Sequence, residues 1–149
     1  MKQIVLAAFF LAAATDMASA DGQAVFDNSC AFCHQAGGVG VPGQFPRLAG
    51  RVGAMAATPQ GKAFLPKVLL NGMSGRVTVD EQPILGIMPA FDSLSDADMA
   101  SVLAYLSGMD HAPVTFTADE IKNLRGEPKL SPTDVAAARE ELAAKKIVP

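Results

Sequence analysis

An all-α fold is the expectation for this chain, and three observations carry it. Helix caps followed by apolar faces recur along the sequence: from Asp21 to the first cysteine, from Pro59 to Leu70, from Ser95 to Leu106, and twice beyond His111. Strand character is confined to Arg76-Val77-Thr78-Val79, which is short and isolated and suits a hairpin or extended loop better than a sheet. The only two cysteines, Cys30 and Cys33, stand three apart with His34 next to them. On a helical turn that spacing turns all three toward one side.

Taken in order, residues 1–20 read as a secretory leader. Lys2 is the sole charge before an apolar run, Ile4 to Ala14, too short to span a bilayer. Thr15-Asp16-Met17 breaks the run, and Ala18-Ser19-Ala20 has the small-residue pattern of a cleavage site. Residues 21–110 then form one domain, and residues 111–149 a helical C-terminal extension. No later segment is long and apolar enough to cross a membrane. The net charge of −3 offers no basic footprint for nucleic acid.

Asp21 caps the first helix, on which Gly22 and Phe26 share a face. The missing side chain at Gly22 permits another helix to approach closely. Gln35 to Gly50 is rich in Gly and Pro and reads as a loop. The helix from Pro59 turns Phe64, Val68 and Leu69 inward, and Asn71-Gly72 stops it. Ser95 caps the strongest helix, with Asp98 at its third position. Met99, Val102, Leu103, Tyr105 and Leu106 make its apolar face, and Val102 and Tyr105 are expected to pack near Gly22 and Phe26. In the extension, Thr117 and Ser131 each cap an amphipathic surface helix, the second strengthened by Pro132.

Cys30-Ala31-Phe32-Cys33-His34 reads C-x-x-C-H, the attachment signature for a c-type haem. Each thiol can add across a haem vinyl group, and His34 is directed at the iron. A plain disulfide is the simplest other reading; a thioredoxin-like redox pair would want strands alternating with helices around it, and a zinc site would want a second ligand pair. Neither accompanies this motif. Haem c is attached outside the cytoplasm in bacteria, which agrees with the leader and predicts a periplasmic location.

The second axial position is open to several residues: His111, Met55, Met73, Met88, Met99 and Met109. Met88 is favoured by its loop, Gly86-Ile87-Met88-Pro89-Ala90-Phe91, where Pro89 stiffens the backbone behind it. Met73 is its main rival. A ligating imidazole also needs a partner for its other ring nitrogen. The loop Phe45-Pro46-Arg47-Leu48-Ala49-Gly50 offers a backbone carbonyl for that purpose, with Leu48 covering a haem face. Simple loop stiffening is the other reading of Pro46.

In this order, the Gly22/Phe26 helix, Cys30-x-x-Cys33-His34, Pro46-Arg47-Leu48-Ala49-Gly50, Met88-Pro89-Ala90-Phe91 and Leu103-Ala104-Tyr105-Leu106 make residues 22–108 resemble a class I cytochrome c domain. Leu70 to Phe91 also resembles the monohaem cytochrome subunits of bacterial dehydrogenases. The resemblance implies an all-α fold around one covalent haem c, His34 and Met88 as axial ligands, and the Pro46 carbonyl accepting from His34. It implies periplasmic electron transfer rather than catalysis.

The partners expected are redox proteins: a periplasmic dehydrogenase as donor and a terminal acceptor. The extension departs from the minimal family domain. It favours a fixed dehydrogenase subunit docked through its tail over a diffusing carrier, a wrap over the domain's own surface being the alternative. Two other classes remain: a haem enzyme or gas-binding sensor with a displaceable iron ligand, and a thiol–disulfide oxidoreductase.

Overall fold

The computed structural model describes residues 21–109 and 113–149. The leader assigned to residues 1–20 and the candidate ligand His111 lie outside the described residues. Among the described residues, seven α-helices and one hairpin follow in order: α1 (Gly22–Ser29), α2 (Ala31–His34), α3 (Arg51–Ala56), α4 (Pro59–Asn71), β1 (Met73–Val79), β2 (Gln82–Met88), α5 (Asp96–Ser107), α6 (Ala118–Arg125) and α7 (Pro132–Ala144). A short 3-10 turn at Ala36–Gly38 follows α2.

The caps behave as their chemistry requires. Asp21 Oδ1 accepts from the Gln23 amide at 3.0 Å. Thr58 Oγ1 accepts from Gly61 at 3.0 Å, with Pro59 opening α4. Ser95 Oγ accepts from Asp98 at 3.0 Å. Thr117 with Glu120 and Ser131 with Asp134 form reciprocal capping boxes on α6 and α7.

Two elements correct the sequence reading. The fold is mostly helical but not all-α, because β1 and β2 pair as an antiparallel two-stranded sheet. Met73 stands opposite Met88, Gly75 opposite Gly86 and Val77 opposite Ile84. The strands turn at Asp80-Glu81, both with positive φ (50° and 64°), where a hairpin of this kind normally carries Asn-Gly or Asp-Gly. The other element is α3, which starts from Gly50 with no side-chain cap and so carries no N-terminal signal.

α1 and α5 cross as expected. Phe26 on α1 and Met99 and Val102 on α5 are fully buried, and the Phe26 and Tyr105 rings stand 5.9 Å apart. Gly22 is required there: a Cβ on it would lie 2.2 Å from the Ser101 carbonyl oxygen and 2.8 Å from Tyr105 Cβ. Gly22→Ala is therefore expected to force the helices apart and lower stability by about 1–3 kcal/mol, measured by urea denaturation.

The extension folds back over its own domain. Phe116, Ile121, Val135 and Val148 join the core that holds Phe26 and Leu103. Arg125 donates to the Asp96 carboxylate at 2.8 Å and to the carbonyls of Asp92 (2.7 Å) and Leu94 (2.9 Å). The Leu130 amide donates to Asn71 Oδ1 at 2.9 Å, and Arg139 to the Thr78 carbonyl at 3.1 Å. Among the described residues, no helix is long and apolar enough to cross a membrane.

Candidate haem site

The C-x-x-C-H motif sits where α1 hands over to α2. The Cys30 amide continues α1 by donating to the Phe26 carbonyl at 2.8 Å. The Cys30 carbonyl then accepts from Cys33 (3.2 Å) and His34 (2.9 Å). One helical turn thus holds Cys30, Cys33 and His34 together, and all three line the same cleft.

No disulfide joins Cys30 and Cys33. Cys30 is buried, and that burial, followed by the nearby Cys33, pushes its thiol up to about 11. An attacking thiol of a disulfide oxidoreductase needs the opposite, a depressed pKa and access. Cys30 therefore does not suit that role.

His34 is 6% exposed. Its Nδ1 lies 2.8 Å from the Pro46 carbonyl oxygen and, as the proton carrier, donates to it. Burial lowers the imidazole's pKa, against the opposing pull of that hydrogen bond. A neutral imidazole with Nδ1 engaged leaves Nε2 as the nitrogen available to a metal. The loop bringing Pro46 back is fixed by its own backbone: Gly40 donates to the His34 carbonyl at 2.8 Å, and Leu48 to the Gly38 carbonyl at 2.8 Å.

The cleft measures about 760 Å³, counting the space at its open mouth. One wall is Ser29, Cys30, Cys33, His34, Gln44, Phe45 and Pro46; the other is the hairpin, through Met73, Gly75, Val77, Ile84, Gly86, Ile87 and Met88, with Pro89 and Phe91. None of these side chains is an acid, a lysine or an arginine. Two apolar side chains stay in solvent nearby in sequence, Phe32 at 93% and Ile87 at 78% exposure.

The cleft gathers Cys30, Cys33, His34, Pro46 and Met88. Leu48 is not among the residues lining it and, like Met88, packs against the main core. Both leading methionines reach the cleft, Met73 and Met88, as direct cross-strand neighbours. Met55 and Met99 are buried in the core, and neither these nor Met109 lines the cleft. Sequence reasoning missed the hairpin's contribution, Gly75, Val77, Ile84 and Gly86, because these residues line one wall only once β1 and β2 pair.

It also missed the clamp at the hairpin tip. Asp80 accepts from Arg47 Nε (3.0 Å) and Nη2 (3.1 Å) and from Arg51 Nη1 (2.9 Å). The hydrogen bond from Arg47, with the charges of both arginines, holds the Asp80 carboxyl below its ordinary value. A lowered folded pKa means the ion pair contributes fully above about pH 4 and is lost as the pH falls through that lower value.

A paired-thiol turn, an anchored neutral imidazole and a facing thioether in an uncharged cleft are a donor set that fits a covalently held haem. Comparison with known proteins agrees. Residues 19–110 match the family described as Cytochrome c. The chain is 39% identical to a cytochrome c-552 of Thermus thermophilus, over 97% of this chain and all of that protein. A second cytochrome c-552 from the same species is 39% identical over 85% of this chain and 99% of its own length. The fructose dehydrogenase cytochrome subunit of Gluconobacter japonicus is 35% identical over 75% of this chain, which spans only 23% of that protein. The turn that sets two thiols and an imidazole on one cleft is the mark of a haem c carrier, and this chain belongs to the cytochrome c family.

Proposed function

We propose that this protein is a periplasmic electron-transfer cytochrome holding one haem c through Cys30 and Cys33, with His34 and Met88 as axial ligands. One observation carries the reading: the two thiols, His34 with Nδ1 tied to Pro46, and Met88 line a single cleft. When bound, haem c supplies a one-electron iron couple.

The chain's own residues do the rest. His34, held by the Pro46 carbonyl, keeps one orientation in both oxidation states, which limits the rearrangement each electron costs. The uncharged walls exclude water and disfavour the more positive ferric state, and a thioether ligand acts in the same direction. Phe45, Val77, Ile84 and Phe91 cover the cleft, while the region around Cys33 and Phe32 supports an electron port at the surface. The reading needs no nucleophile or general base.

Of the two electron-transfer variants, the diffusing carrier is the better supported. The apolar faces of α6 and α7 are already spent on the domain's own core, which leaves them little to offer a dehydrogenase. The relative matched along its whole length is a cytochrome c-552, whereas the fructose dehydrogenase subunit is matched over a small part. Redox proteins of the periplasm remain the expected donor and acceptor.

The test is direct. Protein from a host that matures c-type haems should keep its pigment through acidic acetone extraction. Its ferric form should show the weak near-infrared band of a thioether on iron. Pigment released into the acetone would overturn the covalent attachment. A missing band with rapid binding of nitric oxide would move the assignment to a gas-binding or catalytic haem.

A further inference from the structure

We propose that Asp80 is a positioning residue of the haem cleft: it locks the wall that carries Met88 to the loop that orients His34. This inference rests on the axial ligand assignment above and goes beyond it by naming what keeps the two walls together.

The hairpin is fixed at its base, packs through β1 against α7, and is exposed along much of β2. At the base, α4 ends at Gly72, where a Cβ would lie 2.6 Å from the Met88 carbonyl oxygen. A two-stranded ribbon is marginally stable without further support. Its tip is the least favourable part, because Asp80 and Glu81 both occupy the left-handed region without being glycine. Such conformations persist when surrounding contacts over-determine them, and they concentrate at functional sites.

The contacts are present. Arg47 meets both Asp80 carboxylate oxygens, a two-pronged pair that fixes direction as well as distance. Arg51, buried in α3, adds a third bond at 2.9 Å and also donates to the Pro149 carbonyl oxygen. Arg139 of α7 holds the neighbouring Thr78 carbonyl at 3.1 Å.

The location makes this more than a surface ion pair. Arg47 directly follows Pro46, whose carbonyl accepts from His34. So the residue after the His34 anchor grips the far end of the strand pair that carries Met88. Opening the cleft on the methionine side means lifting the hairpin, and lifting the hairpin means breaking the Asp80 contacts.

The test uses the holoprotein and added imidazole. Imidazole binds ferric iron only after the iron–sulfur bond breaks and an iron–nitrogen bond replaces it, with no electron moved. Its apparent affinity scales with the fraction of open cleft. Asp80→Asn is the informative variant: Asn accepts the left-handed region readily, so the turn is kept while the charge is lost. Asp80→Asn is expected to bind imidazole about tenfold more tightly. Arg47→Gln, at a half-exposed position, should shift the affinity in the same direction but less, because Arg51 still holds Asp80, and added to Asp80→Asn it should change little further, because that variant already removes the carboxylate Arg47 grips.

Amide exchange should quicken in residues 73–88 of the variants, with α5 unchanged. A merely structural role would instead lower the melting temperature with imidazole affinity unmoved well below it, and that result overturns the proposal. Wild-type protein that lacks the thioether band would bring down the ligand assignment and this inference together. Wild type with the band, and variants that bind imidazole as it does, would bring down this inference alone.

Discussion

Met88→Ala is expected to abolish the near-infrared thioether band, to lower the reduction potential and to open the iron to added ligands. Met88 closes β2, is half-buried and lines the cleft across from the His34 turn. Pro89 behind it limits the backbone freedom that ligation must quench. Losing a thioether removes the axial-ligand contribution that favours ferrous iron, and axial ligand identity is a main lever on potentials spanning about 0.8 V across haem proteins. Met73→Ala is the necessary control, since Met73 pairs with Met88 across the hairpin and lines the same cleft. It should keep the band. Loss of the band in Met73→Ala, with Met88→Ala unaffected, would transfer the ligand role to Met73.

Phe26→Ala should be the most damaging single substitution in the helical core, costing about 3–5 kcal/mol in urea denaturation. Phe26 has no exposed surface and packs beside Tyr105 where α1 meets α5. Truncation would leave a ring-sized void between helices that cannot collapse, because Gly22 already sits against the Ser101 carbonyl. The damage would also reach the site: Phe26 is one turn before Cys30 and its carbonyl accepts the Cys30 amide. A loss below about 1 kcal/mol would mean that the crossing contributes little to the fold.

Parts of the molecule were legible because their signal is local. Ser95 with Asp98, Thr117 with Glu120 and Ser131 with Pro132 announce helix starts through side chains that satisfy their own first-turn amides. Gly22 and Phe26 announced the crossing through a space and the ring beside it. Cys30, Cys33 and His34 needed nothing but helical spacing. The hairpin was only half legible: Arg76 to Val79 suggested a hairpin or extended loop, and the signals of its second strand were diluted. Gly75, Gly86 and Pro83 lower strand character, and a tip of Asp80-Glu81 lacks the glycine that marks such turns.

α3 was hidden because its N-cap, Gly50, offers no side-chain signal, and Arg51–Ala56 falls between the loop read at Gln35 to Gly50 and the helix read from Pro59. The path of the loop that carries Leu48 depends on backbone bonds to Gly38 that no side chain advertises. The Asp80 clamp joins residues far apart in the chain, and no short-range pattern records it.

Phe116, Ile121, Val135 and Val148 finish inside the same oily interior as Phe26. The closing stretch of the polypeptide is therefore not an appendage that protein engineers can trim to obtain a smaller shuttle. Cut before it, the remaining body would wear a greasy flank where those four side chains had been, and clumping would precede any change in redox behaviour.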